Sequence, residues 1–443
     1  MGVSCLKPEE NKQGIYLGRD AGGRKSLLFP EDRMMHRLSN HFVFSLTAVA
    51  LALIVSAEAR AADWPQFLGP NRTGISSETG LIISWPAGGP KEVWRIQVAS
   101  SGLAIQGGRL VTMTRKDGKQ FVVSLDPKTG KQNWETEISP APKQGPWATP
   151  TIEDNSAYTF SADGILLSVN LPDGKVNWKH DVPKEYECKA AQYGAACSPL
   201  LAGDLVVVNS GPVFAFNRKS GKLAWKVGSD IAGHSSPALL KLGGRDQIVS
   251  FNGDAVLGIG PKSGKLLWRH PFKTKWECNV ITPVAYKGQV WVSSPGERGG
   301  ALLDLSAKGD SFETKEVWAS PNPKSVMSNY WYTPILVGDH LYGIDSVNWS
   351  KIAHLRCIEL ASGKLVWEQQ RYGEANMIVA DGKFWITTMK GELVMAKLTP
   401  KGYEELGRKK LAAEKGRYAP VISNGLLYLA DGKEVVCLDV KGK

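Results

Sequence analysis

One phrase recurs through this chain at fixed internal spacing. "LDPKTGKQNW" at residues 125–134 returns as "VNLPDGKVNW", "FNRKSGKLAW", "IGPKSGKLLW" and "IELASGKLVW". In each copy a turn glycine (Gly130, Gly174, Gly221, Gly264, Gly363) is followed four residues later by a tryptophan (Trp134, Trp178, Trp225, Trp268, Trp367). Two further copies are degraded: "LSAKGDSFETKEVW" is stretched and ends in Trp318, and "LTPKGYEEL" carries Leu406 at the tryptophan position. Copies recur about every 40–50 residues, the period of a β-propeller blade.

Each interval reads as short strands. Between Trp134 and Trp178 the apolar runs "TPTI", "SAYTF" and "ILLSV" are separated by polar and glycine turns, and the tryptophan segment makes a fourth strand. Such runs lack helical periodicity and predict four-stranded antiparallel blades. Pro150, Pro199, Pro237, Pro283, Pro334 and Pro420 recur where a blade's first strand should open. Proline is tolerated there and holds its predecessor extended. Counting strand sets predicts an all-β, eight-bladed propeller. The C-terminal segment supplies three strands only, while "KEVWRIQV" around Trp94 is an orphan fourth strand near the N-terminus. The expectation is that the N-terminal strand completes the last blade and closes the ring, leaving no sheet edge open.

Six residues before each turn glycine stands a small side chain: Ser124, Ser168, Ala215, Gly258, Cys357 and Ala396, with Cys437 in nearly the same place. Cys357 and Cys437 are therefore read as buried small hydrophobes. The motif tryptophans are read as wedges between blades, since a large rigid ring suits that gap. Of the remaining cysteines, Cys188 and Cys278 recur in "YEC" and "WEC", and Cys188 faces Cys197 across a short loop. A Cys188–Cys197 staple is slightly preferred over free thiols, and the pairing of Cys188, Cys197 and Cys278 stays open. No cysteine pattern matches a zinc module.

The net charge of +11 raises the question of nucleic acid. Residues 1–61 account for +2 of it, and Lys131, Lys175, Lys222, Lys265 and Lys364 each follow a separate turn glycine. Lysines scattered over distinct turns solubilise a surface, whereas nucleic-acid binding wants them on one face. No nucleic-acid partner is expected. "MMHRLSNH", the apolar run "FVFSLTAVALALIV" and "SAEARAAD" form the three parts of a secretory signal. Cleavage is expected near Ala61 or Ala62, with the true start at Met34 or Met35, and no cysteine stands there to carry a lipid. The expected division is a leader over 1–61, an extension over 62–90 and the propeller over 91–443, giving a periplasmic or secreted monomer without a membrane span.

The phrase aliphatic-Asp-x-x-(Thr/Ser)-Gly-Lys-x-x-Trp resembles the pyrroloquinoline-quinone (PQQ) repeat family over about residues 91–443. "DWPQFLGPNRTG", Asp63–Gly74, looks like the N-terminal segment of its exported bacterial members. That resemblance implies either a PQQ-dependent alcohol or sugar dehydrogenase or a propeller that binds without catalysis, such as the lipoprotein of the outer-membrane β-barrel assembly machinery. In the enzymes it implies a funnel quinone beneath a disulfide of adjacent cysteines, with calcium held by Glu and Asn. No two cysteines are adjacent here.

Loops leading into each first strand should rim the funnel. They hold Trp147, Glu187, Tyr193, His234, Glu277 and Asn279, and further on Asn329, Tyr330, Trp331, Glu374, Asn376 and Arg417. Trp147, Glu187, Glu277, Asn279, Tyr330, Trp331 and Arg417 are the candidate cofactor-binding residues. Glu277 with Asn279, or Glu374 with Asn376, could offer oxygens to calcium. His234 beside Ser235 lacks the turn and oriented third partner that nucleophilic chemistry needs. The leading expectation is a non-catalytic scaffold that binds an envelope protein or small ligand at the funnel face, with Trp147, Tyr330 and Trp331 as anchors. PQQ and calcium belong to the dehydrogenase alternative.

Overall fold

The computed structural model describes residues 63–442 except 141–143, 190, 192, 229–230, 347–351 and 412–417, together with the strands Leu17–Arg19 and Lys25–Leu27. The chain divides into two compact units, Met1–Arg60 and Ala61–Lys443. In the first, the two short strands pair antiparallel. The signal segment, its cleavage near Ala61 or Ala62 and the choice of start methionine lie outside the described residues.

The second unit is an eight-bladed propeller of four-stranded antiparallel sheets. The first blade comprises Ala104–Gln106, Arg109–Lys116, Lys119–Leu125 and Gln132–Ser139. The next six follow the same meander, and the eighth joins Val421–Ser423, Leu426–Ala430 and Glu434–Asp439 to the N-terminal strand Lys91–Gln97. Lys91 pairs with Asp439 and Gln97 with Glu434, so the ends of the propeller are zipped in one sheet. The six recurrent prolines each immediately precede a first strand, which begins at Thr151, Leu200, Ala238, Val284, Ile335 or Val421. Third strands such as Ile165–Asn170 are buried along nearly their whole length because neighbouring blades cover both faces. Outer strands such as Gln132–Ser139 are largely exposed over their first six residues and buried only at the end.

The repeat now has a mechanical reading. Outside the stretched copy, where Trp318 faces Leu302, the motif tryptophan sits opposite the small residue of the adjoining third strand: Ser124 with Trp134, Ser168 with Trp178, Cys357 with Trp367, Cys437 with Trp94. Cys357 and Cys437 are fully buried, as small core residues. The indole then reaches the next blade. Trp134 donates to the Leu171 carbonyl at 2.8 Å, Trp178 to Arg218 at 3.0 Å and Trp318 to Leu360 at 2.9 Å. Its ring covers that blade's turn glycine so closely that a Cβ on Gly174 would stand 2.6 Å from Trp134. Glycine is therefore required there twice, by the ring above it and by its φ of +74°.

Both degraded copies alter this joint. Facing the stretched fifth-blade hairpin, Trp268 donates instead to Gln247 of its own blade at 2.6 Å. Where Leu406 replaces the tryptophan, Trp85 of the N-terminal extension packs against Gly407 and fills the gap.

The segment Asp63–Gly74 plugs the propeller's centre. Trp64 pairs with Ile105 of the first blade, exchanging both backbone hydrogen bonds, and Pro65 accepts from Ile152 of the second. Further along the segment, Val379 of the seventh blade bonds Gly74 and Ser76 at 2.8 Å each. The chain then crosses the face bearing the first turn of each blade, where Glu78 accepts from the backbone of Asn424 and Gly425 and Leu81 donates to Asp381.

Arg72 is the centre of the plug. Only 7 % exposed, it donates to the carbonyls of Ser198, Pro199 and Pro237, and to Gln66 at 2.8 Å. These carbonyls belong to the segments opening the third and fourth blades. Burial lowers the guanidinium pKa to about 10, so it remains charged at neutral pH. Five donors in a fixed fork suit a ring of converging carbonyls better than an ammonium would.

Candidate functional site

Above the plug the loop face opens into a cavity of about 480 Å³. Trp64, Phe67 and Leu68 of the N-terminal segment line it together with Trp147, Tyr193, Trp331, Tyr332 and Tyr418 from the loops that lead into first strands. Its polar groups are Gln144, Thr149, Ser198, His234, Ser236, Thr333 and Asn376. Among the described lining residues none is Asp, Glu, Lys or Arg.

The hydroxyls around this cavity are set by a repeated joint. The Thr149 amide donates to Ser198 Oγ at 2.9 Å, the Ser198 amide to Ser236 Oγ at 2.9 Å, and the Thr282 amide to Thr333 Oγ1 at 3.1 Å. Each bond runs from one blade's opening segment to that of a following blade. It uses a lone pair of the hydroxyl and leaves the O–H proton for another acceptor.

His234 is 7 % exposed, and neither ring nitrogen has a hydrogen-bond partner within the protein. Desolvation drives its pKa down to about 4, so the imidazole is neutral under ordinary conditions. Its neighbour Ser235 is fully buried and donates to Ile281 O at 2.7 Å, which makes it part of the framework and no nucleophile.

The residues singled out from sequence fall in three places. Trp147, Tyr193, His234, Trp331 and Asn376 converge on the cavity. Trp147 donates to Tyr193 O at 3.0 Å, and the Tyr330 ring lies tilted against Trp331 with ring centroids 4.1 Å apart. Glu187 and Glu277 line a separate pocket of about 550 Å³, with Cys188, Lys226, Ile231 and Trp276, and His234 borders both. Asn279 and Asn329 are fully buried framework amides: Asn279 donates to Asn252 O at 2.6 Å, and Asn329 to Ile344 O at 2.9 Å. Arg417 lies outside the described residues.

The preferred Cys188–Cys197 staple is corrected by the structure, in which both are free thiols. Cys197 is fully buried, accepts from the Asn209 amide at 3.3 Å, and has its pKa raised to about 11 by burial. Cys188 instead contacts Val182 O and Ser210 Oγ. Trp64, Phe67 and Leu68 lie in the phrase Asp63–Gly74 but were not singled out as site residues, because that segment is not a repeat and its position in the channel is set by contacts far away in the chain.

A family profile described as outer membrane protein assembly factor BamB matches residues 78–226 and 185–369. The chain belongs to this family of PQQ-repeat propellers. Within it, the chain is 20 % identical over 367 residues to the outer membrane protein assembly factor BamB of Yersinia pestis, covering 78 % of this chain and 77 % of that protein. The structure of BamB from Moraxella catarrhalis superposes with a TM-score of 0.56 at 15 % identity, over 80 % of this chain and 98 % of that one. Quinohemoprotein alcohol dehydrogenase from Comamonas testosteroni gives 0.62 at 11 % identity, over 88 % of this chain and 82 % of that one. At these identities the structural likeness speaks for the fold alone.

The family resemblance raised a calcium-held quinone, and the residues present can be tested against it. Calcium wants six to eight oxygens. Among the described residues no group of three or more His, Cys, Asp or Glu could hold a metal. The Glu277–Asn279 pair is split between the side pocket and the framework. Glu374 accepts from Ser346, and burial raises its pKa. PQQ itself carries three carboxylates, and no described lining residue offers a cation to offset their desolvation. The described residues do not fit the group.

Proposed function

We propose that this chain is an exported, non-catalytic binding scaffold of the cell envelope that engages a protein partner through its loop face. Residues 1–61 act as the leader removed near Ala61 or Ala62, 62–90 lock the centre and rim, and 91–443 form the propeller. Among the described residues no helix is long and apolar enough to cross a membrane.

The observation that carries this reading is the set of large apolar side chains left exposed around the funnel. Trp331 is 49 % exposed, Trp276 46 %, Tyr193 45 % and Ile231 42 %. Exposed aromatic groups of this kind anchor protein interfaces when a partner covers them. The family description adds the class of partner: a component of outer-membrane protein assembly.

The test is site-specific photo-crosslinking in cells from positions 276 and 331, with position 317 on the outer strand of the fifth blade as control. A single envelope protein captured from the first two positions and absent from the third supports the reading. Equal capture from all three, or none from the loop face, contradicts it.

A further inference from the structure

We infer that the funnel cavity is a binding site for a neutral, hydroxyl-rich ligand, a saccharide unit of one or two rings. Its walls and its polar groups point to the same chemistry from different directions.

The walls are aromatic. Trp64 and Phe67 from the plug and Trp147 and Trp331 from the loops line a cavity of about 480 Å³, within the usual range for small-molecule sites. A pyranose presents flat patches of C–H groups, slightly positive, which lie against the negative face of an aromatic ring. Its hydroxyls project sideways from those patches and need polar partners at the edge of the ring.

The polar groups supply both roles without charge. Ser198, Ser236 and Thr333 each accept a backbone N–H and keep an O–H to donate. His234, a neutral imidazole, borders the cavity with both ring nitrogens buried and without a protein partner, so a ligand hydroxyl would reach one of them only by a small rotation of the ring. A hydroxyl can meet both requirements, since it donates and accepts. A purely apolar ligand would cover these groups and leave them unpaired, at a cost comparable to a lost hydrogen bond each.

Charge decides against other polar ligands. With no Asp, Glu, Lys or Arg among the described lining residues, a carboxylate, phosphate or ammonium entering the cavity would lose water and gain no counter-charge from them. The inference concerns the cavity; the partner reading shares Trp331 and Tyr193 with it, whereas Trp276 and Ile231 lie on the side pocket.

The experiment is titration of the purified exported chain with maltose, cellobiose and N,N'-diacetylchitobiose, read by tryptophan emission and calorimetry, with glucuronic acid and glucosamine as charged counterparts. At least one neutral disaccharide should bind saturably at millimolar concentration or below, with both charged sugars weaker by about tenfold or more. Trp147→Ala and His234→Leu should each weaken that binding by about tenfold, with His234→Leu leaving the melting temperature at neutral pH unchanged or raised. No saturable binding by any of the three, equal binding of the charged sugars, or binding that survives both substitutions would overturn the inference. Crosslinks from position 276 would stand or fall independently of that result.

Discussion

The indole of Trp94 lies over Gly130, where an added Cβ would come within 2.8 Å of the ring, and its N–H donates to Pro127 O at 3.0 Å. Trp94 belongs to the N-terminal strand of the eighth blade and Gly130 to the turn of the first, so this one joint closes the ring. Tyr428 supports it from below, donating to the same Pro127 carbonyl at 3.1 Å. Trp94→Ala should therefore lower unfolding free energy by about 3–5 kcal/mol, as for other buried tryptophans. Urea denaturation of the variant and the parent would read the difference, and a loss under about 1 kcal/mol would mean that the joint does not hold the ring.

Arg72 should prove structural in a specific way. Arg72→Ala leaves the carbonyls of Ser198, Pro199 and Pro237 without their shared donor. Hydrogen bonds to a charged group contribute about 1.5–3 kcal/mol each, so the variant should lose at least about 3 kcal/mol. Arg72→Lys should recover little of this, since an ammonium cannot span the three carbonyls as the fork does. Limited proteolysis should show earlier cleavage between residues 63 and 80 in both variants.

The buried His234 predicts a pH dependence with a definite sign. Its folded pKa of about 4 lies below the ordinary 6.5, so between these values the unfolded chain binds a proton that the folded chain does not. Stability is whole above pH 6.5 and falls as pH drops toward 4, by about 3 kcal/mol for a shift of this size. Carboxylates titrate in the same range, so the readable quantity is the difference between the parent and His234→Leu. The variant should gain on the parent as pH falls from 6.5 to 4, by denaturation at each pH. A constant difference would mean that the imidazole is solvated.

Thiol counting tests the cysteine correction. Cys197, Cys278, Cys357 and Cys437 are buried and Cys188 is partly exposed. An aromatic disulfide reagent should modify Cys188 in the native chain from residue 62 onward and all five after denaturation without reductant. Only three reactive thiols in the denatured chain would restore a disulfide.

Much of the architecture was legible because its rule is local. Gly130 and Trp134 sit four residues apart, and the same pair returns in phase, so blade number and strand order follow from spacing alone. The prolines at 150, 199, 237, 283, 334 and 420 marked first strands because proline's constraint acts on its immediate neighbours. The plug was legible only as a family-like phrase. Nothing near Arg72 in the chain shows that its partners are carbonyls more than a hundred residues away. Trp85 standing in for the tryptophan absent at Leu406 is a long-range substitution of the same kind.

The candidate site was legible in part for the same reason. Loop position pointed to the face on which Trp147 and Trp331 line the cavity, because their loops precede first strands. It could not separate Glu277, which faces the side pocket, from Asn279 two residues on, whose amide is consumed by Asn252 and Phe272. Which side chain a loop spends on holding itself together is decided by packing that spacing does not record.

The most direct test of the account is calorimetric titration of the chain from residue 62 onward with PQQ in the presence of calcium, paired with thermal melting. An aromatic cavity with no charged side chain and no carboxylate cluster among its described residues predicts no saturable heat and no rise in melting temperature. Tight, calcium-dependent binding with a raised melting temperature, followed by dye-linked alcohol oxidation, would contradict it and make the funnel a quinone site.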